Sequence, residues 1–191
     1  MKKLPFLLIW SRILIALAIV MVALARLPQA PVMIVSLMSA GLITDILDGI
    51  IARKLGVATQ RLRVWDSNVD QFFWLTILAC IFAQHASFIK SHYLPIVAIA
   101  GLEVLAHLFS FLKFRRTVAT HSWLAKLWTL TLFAFLADLS LHGQSNFWLK
   151  LCAVLGIVSR LEILLILFLL KEWTTDVASV LMVKRVNSRR N

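Results

Sequence analysis

Residues 30–70 read APVMIVSLMSAGLITDILDGIIARKLGVATQRLRVWDSNVD, and this stretch decides the fold. It opens on an uncharged, mostly apolar run and reaches Asp45 and Asp48. It then turns basic at Arg53 and Lys54 and returns to two more acids, Asp66 and Asp70, before a further apolar run. About 20 apolar residues cross a hydrocarbon core roughly 30 Å thick, so 30–52 reads as a membrane-crossing helix with acids near one end. Five other stretches, 5–26, 66–86, 92–113, 122–141 and 147–170, have the same character. With 61% of its 191 residues apolar and a mean hydropathy of +0.88, the chain cannot bury its apolar surface as a soluble domain. The expected architecture is an all-α integral membrane protein. A bundle of six transmembrane helices occupies 1–172, and a basic cytoplasmic tail follows over 173–191.

The first stretch, MKKLPFLLIWSRILIALAIVMVAL, resembles a signal peptide in its two lysines and apolar run. Its apolar part is too long for one, and the Ala-Arg-Leu-Pro that follows makes a poor cleavage site, so the helix is expected to stay. Orientation follows from the cations. Lys2 and Lys3, the 53–63 group, the 113–116 group and the tail from Lys171 onward fall on one side, against Arg26, Lys90 and Lys150 on the other. Cytoplasmic loops carry the excess of Lys and Arg, which puts both termini in the cytoplasm, with the cell inner membrane as the expected location.

The formal charge of +11 does not point to nucleic acid, because the cations flank apolar segments instead of lining a groove with stacking aromatics. Anionic head groups suit them better. Trp10, Trp65, Trp123, Trp148 and Trp173 lie near span ends, where indoles prefer to be. Cys80 and Cys152 sit in separate spans without metal-like spacing and read as buried thiols.

The acids carry the chemistry. Asp45 and Asp48, three apart, share a helix face, as do Asp66 and Asp70, four apart. Residues 49–65 bring the chain back to the same membrane surface, so each of two helices presents a carboxylate pair at matching depth. Four carboxylates at membrane depth are costly unless cations or protons are shared among them. The nearby Arg53, Lys54, Arg61 and Arg63 are one source of compensation. Hard divalent cations, which take oxygen ligands, are the other. Two carboxylate pairs suit two such ions. Gly49 and Ala52 leave one flank of the helix without bulk, which serves either close helix packing or a ligand's approach. Arg53, one turn on, offers a forked donor for phosphate. Together these features describe a site for a diphosphate.

The string Asp45-Ile-Leu-Asp48-Gly49-Ile-Ile-Ala52-Arg53, followed after eight residues by Leu62, Asp66 and Asp70, resembles the signature of the CDP-alcohol phosphatidyltransferase family, DxxDGxxAR then GxxxDxxxD. Pro5, Leu8 and Arg12 resemble that family's N-terminal PNxLTxxR element, with Phe6 and Ile9 in place of its Asn and Thr. The stretch His121-Ser122-Trp123-Leu124-Ala125-Lys126 resembles the opening of its fifth helix. Leu62 departs from the pattern, standing where the family has its second glycine.

The resemblance implies a six-helix, usually dimeric enzyme of phospholipid biosynthesis, dependent on Mg²⁺ or Mn²⁺ as a pair of ions. Asp45, Asp48, Asp66 and Asp70 would hold the metals, with Asp70 also the general base. Asp48, Gly49, Ala52 and Arg53 would meet the CDP moiety. The reaction it implies moves a phosphatidyl group from CDP-diacylglycerol or a similar CDP-alcohol to an alcohol, releasing CMP. Arg115, Arg116 and Lys126 are candidates for holding an anionic acceptor such as glycerol 3-phosphate.

Two other readings remain open at this point. Leu62 suggests a catalytically inactive relative, and the acidic cluster would also suit a cation transporter, although no inverted repeat or broken helix pair accompanies it. Elsewhere, Glu103 and His107 are spaced to bond within one helix. Arg160 and Glu162, two apart in the last span, each need a partner on another helix. Asp138 is expected near the outer surface.

Overall fold

The computed structural model describes residues 4–57, 59–118, 122–174 and 177–188, apart from the side chains of Pro5 and Arg61. Lys2, Lys3, His121, Arg189 and Arg190, used above for orientation and resemblance, lie outside the described residues. Among the described residues seven helices precede the tail: α1 (Leu4–Ala25), α2 (Ala30–Lys54), α3 (Gln60–Gln84), the short α4 (Ala86–Ser91), α5 (Tyr93–Phe114), α6 (Trp123–His142) and α7 (Asn146–Leu169). A 3-10 turn (Val180–Met182) and α8 (Val183–Ser188) follow. The described residues contain no strand.

Five of these helices, α1, α2, α5, α6 and α7, are long and apolar enough to cross a bilayer. The surfaces agree with that role. On α1, Leu7, Leu14, Leu17, Met21 and Leu24 are exposed while Ile9, Arg12, Ala16 and Ile19 are buried. The buried set recurs at three- and four-residue steps, one face of a 3.6-residue helix. A helix whose exposed face is Leu and Met has lipid, not water, as its solvent, and the chain is a multi-pass membrane protein.

α3 is not among the five. It starts at Gln60, six residues before the expected 66, because Thr59 caps it: the Thr59 Oγ1 accepts the Leu62 N–H at 3.3 Å. Its first half therefore takes in Arg63, Asp66, Asn68 and Asp70, which lower its hydropathy.

The chain divides into two compact units, Met1–Ile89 with Leu136–Gln144, and Lys90–Phe135 with Ser145–Asn191. In the first, α1 packs against both α2 and α3. Inside it lie Ile34 and Met38 of α2 and Phe73, Ile77 and Ile81 of α3, all buried. Gly41 allows the α2–α3 approach, since a Cβ there would run into the Phe73 ring.

The turn between α2 and α3 has a local cause. Gly56 takes φ +64, the left-handed conformation that glycine adopts without steric cost. Its N–H donates to the Arg53 carbonyl at 3.2 Å and the Val57 N–H to the Ala52 carbonyl at 3.1 Å. This is a Schellman closure, which satisfies the last helical carbonyls and reverses the chain.

In the second unit α5 packs against α7. The α7 face of Leu149, Cys152, Gly156, Ser159, Arg160 and Ile163 is buried. Val177 and Val183 of the tail fold onto Ile166 and Leu170 at the end of α7, with Phe114, Val180 and Val186 packed around them.

Candidate metal and diphosphate site

The Schellman turn brings the start of α3 alongside the end of α2, so the two acid pairs meet. One carboxylate oxygen from each of Asp45, Asp48 and Asp66 lies within 4.8 Å of the others. What joins them is Arg12, from the face of α1 that looks onto both helices. Its Nη1 donates to Asp45 Oδ1 at 3.0 Å and its Nη2 to Asp48 Oδ2 at 2.5 Å. The same guanidinium pairs with Asp66 through Nη2 and with Asp70 through Nη1. All four acids of the motif therefore converge on one cation.

Burial grades across the group. The Arg12 side chain is wholly buried and that of Asp48 is 3% exposed, whereas Asp45 keeps 36% of its surface. Asp66 and Asp70 lie between. The cluster is sealed at the Arg12–Asp48 end and open toward Asp45. A buried guanidinium is tolerated when carboxylates answer it, but one needs one partner. Four carboxylates around one guanidinium leave an excess of three negative charges if all are ionised.

That excess, the all-oxygen donor set and the mutual approach of the oxygens fit a hard divalent cation. Asp45, Asp48 and Asp66 are the residues best placed to hold one.

The other residues of the pattern fall as follows. Ala52 is buried and Arg53 exposed. A Cβ placed on Gly49 would meet nothing within 4 Å, so this flank of α2 is open. Leu62 is half-buried in the first turn of α3. Of the basic residues expected to balance the acids, Arg53 and Lys54 are exposed, and Arg12, which was not among those expected, takes the central place from another helix. The signal for it was an ionisable residue inside an otherwise apolar span, which marks a buried partner or a function.

Arg115, Arg116 and Lys126 belong to the second unit and are exposed, each over an aromatic ring: Arg115 over Phe111 at 5.7 Å, Arg116 over Trp173 at 4.8 Å, Lys126 over Trp123 at 5.0 Å. Cation–π contacts of this kind hold a charge in place without neutralising it. Also in this unit, Glu103 meets His107 at 3.3 Å on α5, as their spacing suggested, and Arg160 finds its partner in the same Glu103. Glu162 Oε2 is buried without a hydrogen-bond partner among the described residues. Asp138 bonds His142 at 2.8 Å.

A multi-pass helical membrane domain with clustered aspartates on adjoining helix ends suits a membrane enzyme that handles phosphate esters, and comparison with family models settles which class it is. The model of the CDP-alcohol phosphatidyltransferase family matches residues 2–182, nearly the whole chain, and the chain belongs to that family. Comparison with curated proteins and with solved structures gives no match. Membership carries with it the transfer of a phosphatidyl-type group from a CDP-alcohol, in a membrane setting.

Proposed function

We propose that the chain is an active, metal-dependent transferase that moves the phosphatidyl group of CDP-diacylglycerol to an alcohol and releases CMP. The observation that carries this reading is the convergence of Asp45, Asp48, Asp66 and Asp70 on one cationic position. Such a cluster has no purely structural need for four acids.

In this reading Asp45, Asp48 and Asp66, with Asp70 beside them, hold Mg²⁺ or Mn²⁺, as two ions. The bound ions supply charge neutralisation at the diphosphate and stabilise the departing CMP. Gly49, open on its outer side, together with Asp48, Ala52 and Arg53, receives the CDP moiety, and Arg53 contributes a forked donor to phosphate. Asp70 accepts the proton of the acceptor hydroxyl as that oxygen attacks the phosphorus bearing the diacylglycerol. Glycerol 3-phosphate is the acceptor we favour, because Arg115, Arg116 and Lys126 are exposed cations held over rings and suit a phosphate. The remaining parts of the proposal are α3 as a sixth span, termini and site in the cytoplasm at the inner membrane, a homodimer, and the 1–172 and 173–191 division.

The test is CMP release from CDP-diacylglycerol by purified protein in detergent, with Mg²⁺ or Mn²⁺ and a panel of acceptors. Release that depends on the ion and is greatest with glycerol 3-phosphate supports the whole reading. Release undiminished by EDTA removes the metal, and no release with any acceptor identifies an inactive relative.

A further inference from the structure

We propose that Arg12 is a tethered counter-ion that occupies the cation position of the aspartate cluster, so that a divalent ion enters only by exchange with it. The inference rests on the metal reading of the same site. Arg12 is the one described cation that pairs with Asp45, Asp48, Asp66 and Asp70 together, and it does so from α1, which carries none of them. Its side chain is fully buried, and its Nε lies buried without a hydrogen-bond partner among the described residues. The guanidinium is thus fastened only through its two Nη atoms, and both of these face carboxylates.

A divalent ion bound by the same oxygens would stand within a few ångströms of this positive charge. Like charges at such separations repel strongly in a medium of low effective dielectric. Both cannot keep the same carboxylates at full strength, so the guanidinium yields at least part of its contacts when the ion binds. Two consequences follow. Without metal, Arg12 keeps the four acids from driving α2 and α3 apart. With metal, the carboxylates exchange contacts with the guanidinium for contacts with the ion, and Arg12 loses its pairs to Asp45, Asp48, Asp66 and Asp70 in part or whole. A site already filled by a tethered competitor also binds the free ion more weakly, in proportion to the fraction of time it stands open.

The experiment measures Mn²⁺ affinity by electron paramagnetic resonance, and thermal unfolding with and without EDTA, on detergent-purified full chain. It compares wild type, Arg12→Met and Arg12→Lys. Arg12→Met removes the competitor and should raise Mn²⁺ affinity by about tenfold or more. Its ion-free form should unfold at a lower temperature than wild type and regain the difference when Mn²⁺ is added. Arg12→Lys, whose single ammonium cannot fork between two helices, should give a smaller rise. It is the decisive arm if Arg12→Met does not fold.

A purely structural arginine predicts the opposite sign, because a loosened cluster binds metal less well. Equal or weaker Mn²⁺ affinity in the variants, beside a wild type that binds Mn²⁺, overturns the exchange and leaves the metal reading standing. Failure of all three proteins to bind Mn²⁺ overturns the metal reading itself.

Discussion

Two buried arginines, one in each unit, occupy opposite electrostatic situations. Among the described residues Arg160 on α7 has one carboxylate partner, Glu103, which also meets His107, and its guanidinium lies 4.1 Å from the ring centroid of Trp128. One positive charge answers one negative charge and the aromatic face completes the enclosure. Arg12 on α1 has four carboxylate partners. The first arrangement is finished without a ligand, and nothing in it calls for another ion. The second gathers four carboxylates about one guanidinium, an excess of three negative charges over that guanidinium if all are ionised, and at membrane depth such a gathering is not sustained without a purpose. Charge balance around a buried arginine therefore distinguishes the two clusters, and under the proposed function it separates a cluster that holds the fold from one that binds.

The largest effect should come from reducing the surplus. Asp45→Asn or Asp66→Asn takes one ligand charge from a site for a hard cation, and CMP release should fall to background. Stability in the absence of metal should hold or rise, since the remaining acids repel one another less. Glu103→Gln should do the reverse, because it leaves Arg160 buried with no counter-charge. Loss of one partner of a fully buried pair costs about 3–5 kcal/mol in soluble proteins, and the 34% exposure of the Glu103 side chain places this loss below that range. A double change, Glu103→Leu with Arg160→Met, should recover most of that loss. Thermal unfolding and CMP release per folded molecule read both sides. If Glu103→Gln abolishes release at unchanged stability, the second cluster is also part of the machinery and the contrast fails.

A smaller effect tests the division of labour inside the first cluster. Asp70→Asn should lower turnover by about 10²-fold, the scale for loss of a general base. Binding of CDP-diacylglycerol should weaken far less than in Asp45→Asn. Equal loss of donor binding in the two variants would make Asp70 a ligand first, and the acceptor proton would need another route.

Much of this was legible before the structure. Helical periodicity is local, so the spans of α1, α2, α5, α6 and α7 and the facing of Asp45 with Asp48, and of Asp66 with Asp70, follow from spacing alone. The start of α3 was misplaced because hydropathy marks where apolar residues begin, whereas Thr59 starts the helix among polar ones. The partners of the two arginines were hidden for a different reason. Arg12 lies 33 residues from Asp45 and 54 from Asp66 in the chain. Which of the apolar faces of α1 turns inward depends on packing with α2 and α3, and no spacing within α1 records it. The sequence reading likewise required a partner for Arg160 on another helix without being able to single out Glu103.

The smallest effect, and the sharpest comparison, lies in two glycines. In the second unit a Cβ on Gly156 would stand 2.6 Å from Trp128 Nε1 and 3.0 Å from Ile99 Cδ1. That glycine is a seat for the ring that covers Arg160. Gly156→Ala should push Trp128 aside and cost about 1–3 kcal/mol, the usual price of overpacking a filled core. Activity per folded molecule should be kept. Gly49 in the first unit is interior to α2, where glycine is about 1 kcal/mol worse than alanine. Yet a Cβ there meets nothing within 4 Å, so no packing contact offsets that cost. Packing gives no reason for a glycine at this position, but a ligand approaching the backbone does. Gly49→Ala should therefore leave thermal stability unchanged or raise it by up to about 1 kcal/mol. It should also weaken CDP-diacylglycerol binding several-fold, with little change in turnover at saturating donor. Unaltered donor binding in Gly49→Ala would show that the open flank of α2 does not receive the nucleotide. The Gly156 result would then be the only one of the pair with a structural cause.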